Sequence, residues 1–552
     1  MPLPRYSLPW TSDLPDDPVR ARRVTLLRGA AQVLLVAVLA AVCAQVQVQV
    51  ARNIADGERT DRQYLKAVEQ WRLAPTEDNR KAALAAAEKV RQVKRHKGAI
   101  LRWSQAVRQF WRGQNIYQAP PGFGQADPLT GALPPGAGSP IAMHLDGGAP
   151  TLPARPEPAL GAAPNDLRRQ EVYLHPNMPF VVVLLTPLAY LPMPIMAAAV
   201  NVLKVIAFFL AILAAAGVAN DGRRRMGDWV MGLAVLFALP LVISDIQHGN
   251  TNTFVLAAIA GHLWLYRRGH DMPAGALLAL AICFKLTPAL FALYWLWQRN
   301  WRLLEGLAVA LAVMVVLVPL TVIGPAQYVA MMGAWLDNII VPGLLKDSPY
   351  PMHINQSLPG VLTRLLRPAN IYWNPEDDVA ADQVRFVNLV ALSAPAFRTL
   401  LTGLKMAVLA LMAWGIGWKR LPRDDGRRAL HYGLVLCAML ILNQRTWDHH
   451  GAILLPAYAA AWYALAYGRV GRRWRRLGLV LMLASALPLF GMSGSLFTAL
   501  AGGRAGRELA DVIEAYGPTL LHFVLLFAVC LILLRQLRRA GPDAYESFRQ
   551  QV

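Results

Sequence analysis

Charge is what this 552-residue chain has least of: 16% of its residues are Asp, Glu, Lys or Arg, where a soluble domain carries about 25%. The deficit runs the whole length, which excludes an ordinary water-soluble enzyme and equally a disordered or fibrous polymer. Acids are the scarcer sign, 34 against 55 Lys and Arg, for a formal net charge of +21. Cysteines number four, Cys43, Cys283, Cys437 and Cys530. All four lie inside apolar runs with no disulfide or zinc spacing, so they read as small core side chains. A glycine-rich phosphate loop is missing, and so is a large cytoplasmic domain, which disfavours a nucleotide-sugar donor.

What is abundant is apolar length. Hydrophobic residues make up 55% of the chain and the mean hydropathy is +0.34. Runs long enough to span hydrocarbon recur throughout, so the fold class is an all-α polytopic membrane protein. The basic residues sit in short clusters between those runs, among them Arg223-Arg224-Arg225, Arg267-Arg268 and Arg472-Arg473. That is the positive-inside pattern, so the charge reports orientation and contact with anionic membrane lipids, with no nucleic acid as partner.

The expected organisation follows from these runs. Residues 1–50 form a cytoplasmic N-terminus and a retained first helix over 26–49, and residues 51–177 an extracytoplasmic loop with a Pro/Gly-rich insertion at 118–166. Residues 178–323 make the first part of the membrane bundle, 324–395 a second extracytoplasmic loop, 396–535 the second part and 536–552 a cytoplasmic tail. About ten full spans are expected, with half-helices at 179–190 and on either side of Lys285. Arg267 and Arg268 before the run at 274–297, and Arg299 and Arg302 after it, belong on one side. That run is therefore two half-helices meeting at Lys285, tolerated only where they line a cavity in the protein.

Polar residues gather at one set of helix ends: Asp61, the tip from Gln247 through His248 and Asn250 to Asn252, Asn355-Gln356-Ser357, and the run Asn443-Gln444-Arg445-Thr446-Trp447-Asp448-His449-His450. Each alone can be interfacial solvation, but ionisable groups at membrane level are costly and point to function. The Lys285 ammonium, between Phe284 and Leu286, needs an anionic partner; a lipid phosphate and a structural carboxylate both suit it.

Several stretches, in order along nearly the whole chain, together resemble the family-87 glycosyltransferases of the C-type superfamily. Gly113-Gln114-Asn115-Ile116-Tyr117 is similar to that family's G-x-x-x-Y, and Tyr173-Leu174-His175-Pro176 with Pro179 and Pro187 to its Y-P-P…P-L. Gly249-Asn250-Thr251-Asn252 resembles G-Q-x-N, with Asn250 where the family has Gln, and Phe284-Lys285-Leu286-Thr287-Pro288 resembles L-K-x-x-P. Asn355-Gln356-Ser357-Leu358 and Trp447-Asp448-His449-His450 resemble N-Q-S-L and S-W-x-H-H.

The resemblance implies a helical transmembrane bundle with an extracytoplasmic active-site cavity. It also implies an inverting transfer of a hexose, mannose by preference, from polyprenyl phosphate to a lipid-linked or envelope glycan acceptor, in the inner membrane. Donor phosphate and sugar would be held by Lys285, Arg445, Trp447, His449, His450, His248, Asn250, Asn252, Asn355 and Gln356, with Asp448 partnering a histidine. No metal and no cofactor beyond the lipid-linked sugar is expected. The general base is expected in the first loop at Asp61, where Asp61-Arg62-Gln63-Tyr64 resembles the family's D-x-x-x-Y less one residue. Asp61 lies further from Gly113 than the family spacing, which leaves Asp56 and Glu58 open as substitutes. Two other functions stay open: a transporter or flippase, and a non-catalytic scaffold for envelope assembly.

Overall fold

The computed structural model describes residues 18–92, 99–118, 160, 177–220, 226–341, 350–372, 385–491, 503–541 and 544–545. Tyr173 to Pro176, Arg223 to Arg225 and all but two residues of the 118–166 insertion lie outside these.

In chain order the helices are α1 (Pro18–Leu73), α2 (Glu77–Gln92), α3 (Ala99–Trp111), α4 (Pro179–Ala189), α5 (Met193–Ala219) and α6 (Asp228–His248). Next come α7 (Asn252–Arg267), α8 (Asp271–Phe284), α9 (Ala289–Trp297), α10 (Trp301–Leu311, continued to Ile323), α11 (Pro325–Trp335) and α12 (Leu358–Leu366). The chain closes with α13 (Ala394–Ile416), α14 (Arg427–Leu442), α15 (Leu455–Tyr467), α16 (Arg472–Ala486), α17 (Gly503–Ala515) and α18 (Pro518–Arg539). Among the described residues the only extended pairing is a single bridge between Gly468 and Tyr545. The protein is an all-α polytopic membrane protein.

Six helices are long and apolar enough to cross a membrane among the described residues: α1, α5, α6, α10, α13 and the stretch Ala505–Arg539. Several runs expected as full spans are shorter, such as α14 with 16 residues and α15 with 13. Both are buried along nearly their whole length, so they form the centre of the bundle and lipid contact falls to the outer helices. The first helix departs most from expectation. It does not stop near residue 50 but continues unbroken to Leu73, 56 residues in all, or about 84 Å. Its polar second half has a packing partner in α2, and Tyr64, Val68, Ala83, Ala87 and Val90 form a small core separate from the main one.

The break at Lys285 is real, and so is its topology. Lys285 has extended backbone between α8 and α9, and the far ends of both half-helices return to one layer. Asp271, at the start of α8, takes two hydrogen bonds of 2.7 Å from Arg423. Trp297, at the end of α9, donates to the Gly417 carbonyl, and Tyr294 accepts from Arg428. With 14 residues, α8 rises only about 21 Å, short of the roughly 30 Å hydrocarbon core.

Close packing holds the half-helix in place. A Cβ on Gly275 would collide with the Leu303 carbonyl and the Leu307 nitrogen of α10, and one on Gly306 with the Met272 backbone. Small residues at a crossing let two helix backbones approach where lipid offers no hydrophobic drive. Gly275→Val should therefore lower stability by about 1–3 kcal/mol, read as a lower Tm of the detergent-solubilised protein. Gly232→Ala, where an added Cβ meets nothing within 4 Å, should leave Tm unchanged or slightly higher.

Candidate functional site

The site is built around one carboxylate. Asp245, in the last turn of α6, is fully buried and faces fully buried Lys204 of α5, with Nζ 3.3 Å from Oδ2. Lys204 Nζ also donates to the Asp245 carbonyl at 2.7 Å. The opposite edge of the carboxylate caps the start of α7. Oδ1 accepts from the Asn252 backbone and side-chain nitrogens, and Oδ2 from the Thr253 nitrogen and hydroxyl. An anion at a helix N-terminus satisfies donors that have no partner inside the helix.

From Asp245 the network reaches the break. Lys285 Nζ donates to Asn252 Oδ1 at 2.7 Å, so the amide of Asn252 bridges the Asp245 carboxylate and the Lys285 ammonium. Lys204 thus meets the carboxylate directly, whereas Lys285 reaches it only through the Asn252 amide. The same layer is tied from behind: Asn177 donates to the Phe284 carbonyl at 2.7 Å, and the Tyr117 hydroxyl donates to the Asn177 carbonyl.

Aromatic rings stand beside this layer. Gly249 closes α6 in a left-handed conformation, φ +64, and turns the chain so that Asn250 points at the segment after α14. The Asn250 amide lies 2.7 Å from His449 Nε2. His248 stacks on His449 at 4.9 Å between ring centroids, and Trp447 lies nearly parallel to His450 at 5.9 Å. The two pairs meet edge to face through His449 and His450 at 4.8 Å. Burial is the main reason that both imidazoles are held well below the ordinary histidine pKa, so they are neutral rings at neutral pH. The buried indole nitrogen of Trp447 has no hydrogen-bond partner among the described residues.

Lys285, Asn252, Asn250, His248, His449, His450 and Trp447 are therefore brought together. Arg445 lies at the edge of this group, exposed, with its guanidinium over the Tyr350 ring at 4.7 Å. Asn355 and Gln356 are placed differently from expectation, as architecture. Asn355 Nδ2 donates to the Tyr350 and Gln444 carbonyls, while Oδ1 accepts from the Ser357 and Thr446 nitrogens. Gln356 Nε2 donates to the His353 and Glu514 carbonyls, and Oε1 accepts from the Thr519 nitrogen. The Asn355 amide staples the start of α12 to the chain that carries the rings, and the Gln356 amide staples it to α17 and the start of α18.

Asp448 does not pair with a histidine; its Oδ1 accepts from the Thr519 hydroxyl at 2.7 Å. Asp61 lies on α1 one turn before Tyr64, whose ring belongs to the α1–α2 core. His353, Asp511 and Glu514 have ligand-type atoms within 4.8 Å of one another and could hold a cation. His353 Nδ1 lies 2.9 Å from a Glu514 oxygen, so a hydrogen bond already holds the group together.

Lys204 and Asp245 are the residues that sequence reasoning missed. The signal was present: Lys204 is a lone cation inside the apolar run of α5, as isolated there as Lys285 is in its own.

A family model, that of glycosyltransferase family 87, matches residues 173–442. The matched segment, just under half of the chain, contains Lys204, Asp245, Asn252 and Lys285. Two curated relatives carry the same description, a polyprenol-phosphate-mannose-dependent alpha-(1-2)-phosphatidylinositol mannoside mannosyltransferase. The relative from Mycobacterium tuberculosis is 25% identical over 56% of this chain and 64% of its own length. The one from Mycolicibacterium smegmatis is 26% identical over 49% of this chain and 56% of its own length. The chain thus aligns with less than two thirds of either relative. No solved structure matches it.

Two predictions follow from the geometry. Asp245→Asn leaves the Lys204 ammonium buried without its counter-charge and should cost about 3–5 kcal/mol, seen as a drop in Tm. Adding Lys204→Met to that variant should recover part of the loss, since the unpaired charge is then gone.

Burial first, and the Glu514 carboxylate second, push Asp448 up to about 7. The folded state therefore holds a proton that the unfolded chain releases near about pH 4. Stability is full below that value and falls as pH rises to about 7, because the native state binds more protons across the window. Asp448→Asn should flatten this fall. Its Tm should match wild type below about pH 4 and exceed it at pH 8.

Proposed function

We propose that the chain is a membrane glycosyltransferase that moves a hexose, mannose in our reading, from polyprenyl phosphate to a lipid or glycan acceptor. The reaction would take place at the extracytoplasmic face of the inner membrane. One observation carries the reading: the helix break that presents the Lys285 ammonium, backed by a network with one positive charge too many, beside stacked neutral rings. The family match over residues 173–442 and the named activity of the two relatives support it.

The chemistry suits that arrangement. As the acceptor oxygen bonds to the anomeric carbon, the bond from that carbon to the phosphate oxygen breaks, and charge builds on the departing polyprenyl phosphate. A preorganised cation in a dry site stabilises charge where it develops, and Lys285 is that cation. His248, His449 and Trp447 offer apolar ring faces for a hexose, with the unpartnered Trp447 N–H as a donor to one of its hydroxyls. The acceptor's proton goes to a carboxylate, for which we assign Asp61, with Asp56 and Glu58 as the alternatives in the same turns of α1. No metal is needed for this balance.

The test is transfer of radiolabelled mannose from synthetic polyprenyl-phosphate-mannose to a membrane-lipid extract by the purified protein. Wild type should transfer label, and Asp61→Asn should lose at least about 100-fold in rate if it is the base. Lys285→Gln should lower the rate more than it raises the donor concentration needed, because its charge matters most in the transition state. Transfer undiminished in Asp61→Asn would move the base to Asp56 or Glu58. No transfer from any polyprenyl-linked sugar, with label instead crossing a proteoliposome membrane unchanged, would replace the enzyme with a transporter.

A further inference from the structure

Among the described residues, two guanidinium groups near the site lack a counter-charge. Helix α3 carries Arg102 and Arg108 but no acid, and Arg112 follows directly after it. Among the described residues the Arg108 guanidinium meets only the Ala189 carbonyl, at 3.4 Å, and that of Arg112 meets no partner. With Trp111 and Tyr190 they line an open cleft of about 310 Å³. The indole of Trp111 is pinned as a wall of this cleft by its hydrogen bond to Thr186 Oγ1 at 2.8 Å, while Tyr190 stands 59% exposed.

The position of the cleft identifies its ligand class. It lies at the turn between α4 and α5, where an apolar run ends, and Tyr, Trp and Arg mark the level of lipid head groups. Leu184 and Ile195, on either side of the turn, are 46% and 55% exposed, as lipid-facing side chains would be. The cleft is also connected to the Lys285 layer. A Cβ on Gly249 would strike the Ile100 side chain of α3, and Met178, just before α4, bonds to the Cys283 carbonyl. Helices α3 and α4 therefore run side by side from that layer to the cleft, about 12 Å along α3 from Ile100 to Arg108.

We propose that this cleft binds the phosphodiester head group of an anionic lipid. The two guanidiniums take the phosphate oxygens, the Trp111 and Tyr190 rings cover the head-group carbons, and the acyl chains lie on Leu184 and Ile195. Guanidinium matches phosphate geometry and gains from its charge, whereas the ammonium of a zwitterionic head group meets two fixed positive charges. The site is separate from Lys285 and does not depend on the glycosyl-transfer reading.

The experiment uses the full chain in phosphatidylcholine vesicles containing phosphatidylglycerol with a photoactivatable group near its head, and cross-linked peptides are mapped by mass spectrometry. Label should appear on the peptides around Trp111 and Tyr190 and be displaced by unlabelled phosphatidylglycerol but not by added phosphatidylcholine. Arg108→Gln/Arg112→Gln should reduce it at least about fivefold, close to the loss of one charge-assisted hydrogen bond. Arg108→Lys/Arg112→Lys should restore part of it, and thermal unfolding of each variant separates lost binding from lost fold. Labelling unchanged in the Gln variant, or displaced equally by phosphatidylcholine, would reduce the cleft to an ordinary interfacial belt. Displacement by inorganic phosphate but not by phosphatidylglycerol would make the ligand a soluble anion and overturn the lipid assignment.

Discussion

The carboxylate of Asp245 is the constraint on which the rest of the site depends. A charge removed from water inside an apolar bundle is tolerable only when it is paired and fully hydrogen-bonded. Asp245 meets that requirement with groups from three helices: Lys204 on α5, its own turn of α6, and the first donors of α7. None of the three helices can slide without stranding a charge or an amide. The register of α5, α6 and α7 is fixed by a polar contact, while the apolar core around it supplies the attraction. The Asn252 amide then carries that fixed register to the helix break at Lys285.

The same division of labour recurs on the far side of the ring cluster. Asn355 and Gln356 give every donor and acceptor of their amides to the backbone, and Arg364 does similar work. Its buried guanidinium donates to the Met352, Asn355 and Ala515 carbonyls. Burial pushes Arg364 down to about 9, which still leaves it charged at neutral pH. These side chains hold the segment of Trp447, His449 and His450 against α12 and α18. The rings themselves make few polar contacts. His248 is the exposed ring of the group, and a ligand can reach it without rearranging the scaffold.

Most of the helix pattern was legible because apolar length and charge placement are written directly in the sequence. The turn from α8 into α9 is the clearest case, since the two basic pairs flanking the run could share one side only if it doubled back at Lys285. What was not legible depended on partners distant in sequence. That the polar half of α1 continues the first helix unbroken is not written in the sequence, because its support comes from α2 packing on Tyr64 and Val68. Asn355 and Gln356 look the same in sequence whether they bind a sugar or a carbonyl. Lys204 was visible as a lone cation, but its role was not, because the carboxylate it meets lies in a helix tip that reads as interfacial solvation.

The order of charges through the site has a functional consequence. Lys204, Asp245 and Lys285 alternate in sign through one shared amide, so the inner cation is neutralised and the outer one is not. A lone lysine at that break would be free to reorient. Asn252 instead holds the Lys285 ammonium with a neutral oxygen, which orients it without cancelling its charge. A carboxylate in the same position would orient it equally well but would leave an incoming anion nothing to pair with. The choice of an amide between Asp245 and Lys285 is therefore what leaves Lys285 without a direct carboxylate partner while Lys204 has one.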